Sequence, residues 1–117
     1  MPYQAALSER ETEVVRGVLR ATVEGPFFPD WEFHALMGLE RNEIGSVLAE
    51  WPDVVNRDIA DLAVNNAFAN LLGYPHGQWP AWGEFSDATP DEVARVFASW
   101  RRASGQPAPS SHFRDLA

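Results

Sequence analysis

Asn66 and Asn70 stand four residues apart, and Tyr74, His76, Trp79 and Trp82 follow them in the stretch NNAFANLLGYPHGQWPAWGEF, residues 65–85. Amides, an imidazole and indole rings are the ingredients of a small-ligand pocket, in which aromatic walls surround a few convergent polar groups. Tyr74, Trp79 and Trp82 equally suit a protein contact, where tyrosine and tryptophan are enriched. The plainest reading is a corner of the core. Two asparagines on one helical face have a cost, and buried amides need partners. The expected partner is the backbone of the loop that follows, which has no regular ladder of its own. A core corner comes first, a contact surface second, and a pocket around Asn66, Asn70 and His76 third.

Other chemistry is sparse. The three histidines, His34, His76 and His112, fall in no metal-binding pattern, and no phosphate-cradling glycine loop occurs. There is no G-x-S-x-G, and Ser46 falls mid-helix where it cannot be sharply presented. The absence of cysteine excludes disulfides, thiol catalysis and cysteine-based metal sites. Asp58 and Asp61 read as an exposed, solvated pair. The sequence therefore assigns no catalytic residue, metal or cofactor, and the chain reads as a non-enzyme.

Charge is the remaining clue. The net charge is -8 with a pI near 4.7, and all nine basic residues are arginine. This balance disfavours nucleic acid and anionic membranes, whose phosphates need cations. It favours a basic protein partner. Glu40, Glu43, Glu50, Asp53, Asp58 and Asp61 are the candidate acidic contacts. Small acidic helical inhibitors of basic toxins, such as immunity proteins and antitoxins, share this physical profile.

These residues must be held by helices. Ser8 with Glu11 forms a capping box, and Val14, Val15, Val18, Leu19 and Val23 recur at helical spacing until Gly25-Pro26. Asp30 is the expected cap of a second helix that runs to about Met37, where Gly38 breaks it. A third spans about Glu40 to Glu50. The fourth, from about Asn56 to Gly73, is apolar on nearly every side and so reads as central. Thr89 caps the last, with Pro90 in its first turn and Glu92 completing a second capping box. Gly105 ends it.

Residues 30–50 invite a helix-turn-helix reading, with Gly38 at the turn and Phe33, Met37, Leu39, Ile44 and Val47 in the apolar slots. The chemistry disagrees. His34 occupies a slot that wants a small side chain, and the second helix offers Arg41, Asn42, Glu43, Ser46 and Glu50 as its exposed set. The segment holds five carboxylates and one arginine. A regulator derived from this fold stays open as an alternative, and would need Arg10, Arg16, Arg20, Arg57 and Arg95 to form one basic face.

A chain of 117 residues suits one domain. The expectation is an all-α, compact five-helix domain over 1–105, with a helix-turn-helix-like hairpin at about 30–50. A long ordered aromatic loop at about 74–88 and a mobile Pro/Ser-rich tail over 106–117 complete it. No apolar run approaches membrane-spanning length, and the first residues do not resemble a signal peptide, so a cytoplasmic location is expected.

Overall fold

The computed structural model describes residues 7–105. The expected tail, with His112, lies outside the described residues. Among the described residues six α-helices follow in order: α1 (Glu9–Glu24), α2 (Asp30–Met37), α3 (Arg41–Glu50), α4 (Arg57–Gly73), α5 (Trp82–Phe85) and α6 (Pro90–Ala103). Among the described residues there is no strand.

The sixth helix corrects the expected count of five. The single turn α5 and a 3-10 turn at Trp79–Ala81 lie inside the segment read as loop. Burial explains the difference. Trp82 is pulled into the core and its indole N–H donates to Ala88 O at 2.7 Å, which coils the segment around it.

Caps fix where the helices begin. Ser8 Oγ accepts the Glu11 N–H at 3.0 Å, and Glu11 Oε1 accepts the Ser8 N–H at 2.8 Å, so the first capping box is complete. Asn56 Oδ1 accepts from Ile59 N–H at 3.1 Å at the start of α4. Two expected caps differ. Pro29 holds the cap position of α2, and Asp30 is its first helical residue, with its carboxylate 2.8 Å from Arg41 Nη2. Thr89 does cap α6, but Glu92 does not close a box there. Its carboxylate accepts from Arg10 Nε and Nη2 at 2.9 and 2.8 Å. A forked guanidinium outcompetes a backbone amide for a carboxylate.

The core is one cluster to which every helix contributes. α4 touches α1, α2, α3 and α6, as its all-round apolar pattern predicts. Ala60, Ala63, Val64, Ala67, Phe68, Leu71 and Leu72 are its buried side chains. Phe68 stacks on Phe97 of α6 at 5.0 Å between ring centroids. Leu62, counted among the apolar faces of α4, remains 41% exposed. All five apolar slots of residues 30–50 are buried. The two helices nevertheless pack mainly on others, α2 on α4 and α3 on α1 and α4, and little on each other.

Candidate functional site

The six aromatic and amide candidates separate into two groups. Asn66, Asn70 and Tyr74 lie at successive i, i+4 positions and form a polar ladder against α2, which runs antiparallel to them. Asn66 Nδ2 donates to Met37 O at 2.7 Å, Asn70 Nδ2 to Leu36 O at 2.9 Å, and Tyr74 Oη to Glu32 Oε2 at 2.6 Å. The bond to Glu32 pushes the Tyr74 phenol above its usual range, because the neutral phenol is the donor. The amides thus hold α2, not the loop that follows α4, which corrects the expected partner. The last carbonyls of a helix have no partner within it, and α4 supplies the donors. Asn65 extends the chain: Arg101 donates to Asn65 Oδ1, and Asn65 Nδ2 donates to Asn66 Oδ1 at 3.1 Å.

His76, Trp79 and Trp82 form the second group, over Phe27. The His76 ring lies edge-on to Phe27 at 4.9 Å and 4.7 Å from Trp79, which lies 5.3 Å from Trp82. His76 Nδ1 accepts the Gln78 N–H at 2.9 Å, so Nε2 carries the proton and donates to Leu71 O at 3.2 Å. Burial lowers the pKa of His76, with the Leu71 carbonyl opposing, and the neutral tautomer fits both bonds. Trp82 is buried, whereas Trp79 is 45% exposed. The Asn66 and Asn70 amides and the His76 imidazole are each committed to a helix-end carbonyl.

The arginines follow the same logic, and sequence reading missed it. α1 has no basic residue in its last turn. Arg41 supplies one from α3: Nη1 donates to Thr22 O and Val23 O at 3.1 and 2.9 Å, and Nη2 donates to Phe28 O at 3.1 Å. Its guanidinium also stacks 4.2 Å over the Phe33 ring. Arg16 Nη1 donates to Trp51 O, the C-cap of α3, at 3.3 Å, and Arg20 Nη2 to Glu84 O in α5 at 2.9 Å. A cation is favourable at a helix C-terminus, and the planar fork of arginine reaches several carbonyls at once. Only the complete absence of lysine signalled this use.

The inward turn bears on the regulator alternative. Arg41, the one arginine of residues 30–50, is committed to α1 and Asp30. His34 Nδ1 lies 2.6 Å from Glu40 Oε1, away from any close-packed slot. Arg10, Arg16 and Arg20 do share an open groove of about 520 Å³ between α1 and α5, but Glu13, Glu84 and Asp87 line it with them. Arg57 Nε lies 3.9 Å from Asp61.

The acidic candidates also divide. Glu40, Glu43, Glu50, Asp53 and Asp58 are exposed. Asp61 is not, which corrects its reading as a solvated partner of Asp58. Its side chain is 26% exposed, and Oδ1 is buried without a hydrogen-bond partner. Burial pushes its carboxyl up, against the pull of Arg57. Glu43 and Glu50 line a cleft between α3 and the start of α4, together with Val54 and Ile59.

Among the described residues, no group of three or more metal-ligating side chains converges, and no helix is long and apolar enough to cross a membrane. No protein-family model matches the sequence, and no curated protein or solved structure matches it either.

Proposed function

We propose that this chain is a protein-binding domain whose acidic surface occupies a basic partner, in the manner of an immunity- or antitoxin-type inhibitor. The observation that carries the reading is the unequal use of charge. Arg16 and Arg41 are half-buried and bound to helix-end carbonyls of the same chain, and Arg10 and Arg20, though exposed, are bound to its carboxylates or to a backbone carbonyl. Glu43, Glu50, Asp53 and Asp58 remain exposed. An approaching molecule therefore meets carboxylates that the fold has not neutralised. Such a surface steers a basic protein onto itself and repels phosphate.

The test is affinity capture from the cells of origin, followed by binding measurements with the purified partner across a salt series. The expected result is one basic protein whose association slows as salt rises. Recovery of nucleic acid, or binding indifferent to salt, would overturn the proposal.

A further inference from the structure

We infer that the cleft between α3 and the start of α4 seats an arginine side chain of the basic partner. The inference rests on the functional reading above and assigns it a place. Glu43, Ser46 and Glu50 line one wall at helical spacing, so the two carboxylates lie two turns apart on one face of α3. Val47, Val54 and Ile59 supply its apolar lining, and Asn56 completes it. The cleft has a volume of about 180 Å³, room for one large side chain. Among the described residues, no basic side chain lines it.

Both carboxylates keep acceptor capacity. Glu43 Oε1 accepts the Glu40 N–H at 2.7 Å, and Glu50 Oε1 accepts the Val55 N–H at 3.4 Å. Each carboxylate has sites for further bonds. The choice of arginine follows from charge complementarity and shape together. Its aliphatic stem covers an apolar wall while its fork binds a carboxylate, and the two demands meet here. A lysine would offer a point charge without the planar fork. Beside the cleft, Val55 is 91% exposed and extends the apolar surface to a neighbouring side chain of the same partner segment.

The probe is an amidated helix-forming peptide of arginine and leucine, with a citrulline-for-arginine peptide as the neutral control. Nitrogen-15 NMR of the full chain locates its binding. The expected result is a saturable shift of the Glu43, Ser46, Glu50 and Ile59 amides that the citrulline peptide does not produce. The double variant Glu43→Gln/Glu50→Gln should bind about tenfold more weakly. Both glutamines retain the acceptor for the local N–H, and an unchanged melting curve verifies the fold. Asp91→Asn, an exposed acid on α6, should leave binding unchanged. Shifts scattered over the acidic surface, or equal weakening by Asp91→Asn, would overturn the inference. The double variant also separates this proposal from the functional one. If it binds the captured partner as tightly as the parent does, the cleft fails and the function stands. If no basic partner is captured, the function fails whatever the peptide does.

Discussion

Arg41 donates to the carbonyl of Val23 at 2.9 Å, so the first residue of α3 terminates α1. Removing it leaves Thr22 O, Val23 O and Phe28 O without their donor. Arg41→Ala should lower stability by about 2–3 kcal/mol. Arg41→Lys should recover less than half of that, because an ammonium cannot reach three carbonyls and stack on Phe33 together. Chemical denaturation of the three proteins checks this. A lysine variant as stable as the parent would mean that charge alone matters.

Asn66 offers a sharper test through its chemistry. Its amide donates to Met37 O and its oxygen accepts from Asn65. Asn66→Ala should cost about 1–3 kcal/mol. Asn66→Asp should cost more at neutral pH, since a carboxylate would face the Met37 carbonyl. The folded protein would favour the protonated acid there, which raises that carboxyl above its unfolded value. The aspartate variant should therefore recover relative to the parent as the pH falls, when the acid can again donate. Melting curves at neutral and acidic pH distinguish the two variants.

Two glycines are required for opposite reasons. Gly38 has φ +71°, yet a Cβ there would meet nothing nearer than Asn66 Nδ2 at 3.7 Å. Gly38→Ala should cost about 1 kcal/mol from backbone conformation alone, and Gly38→Asn less. Gly25 has ordinary backbone angles, but a Cβ would lie 2.6 Å from Ala21 O and 2.7 Å from the Phe27 ring. Gly25→Ala should cost about 2–3 kcal/mol through displacement of that buried ring. Asparagine should bring no relief at Gly25, and denaturation midpoints of the four variants show whether it does.

His76 links the aromatic group to pH. The fold favours its neutral form, so its pKa lies below the ordinary value near 6.5. Its contribution to stability is complete above that value. It falls as pH drops through it, and levels off below the depressed folded pKa. Protonation also expels the Gln78 N–H from Nδ1. Replacement His76→Gln should flatten the stability profile as the pH falls below about 6.5, relative to the parent. Parallel profiles for the two proteins would show that the imidazole does not titrate differently on folding.

Most local signals were legible in the sequence and long-range ones were not; the cap of α2 is a local exception, with Pro29 where Asp30 is expected. Ser8 and Thr89 cap where they should, because a cap is decided within one turn. Gly38 breaks the chain as expected for a left-handed residue at a helix end. Asn66 and Asn70 share one face of α4, as their spacing implies, but a helical wheel names a side and not the element beyond it. Arg41 was read as exposed because its own helix puts it outside. Its guanidinium reaches back to α1, a contact 18 and 19 residues away. Glu92 had a local role on offer, and Arg10, 82 positions distant, took it.

The ladder of Asn66, Asn70 and Tyr74 has a dynamic consequence. Its three rungs have different spacings along α2, at Met37, Leu36 and Glu32, so sliding by a turn would break all three and remake none. α2 can leave α4 only by lifting off whole. In hydrogen exchange the amide protons of its last turn should open together, with one shared free energy, as a single cooperative unit. Asn66→Ala should then speed the exchange of all of them equally.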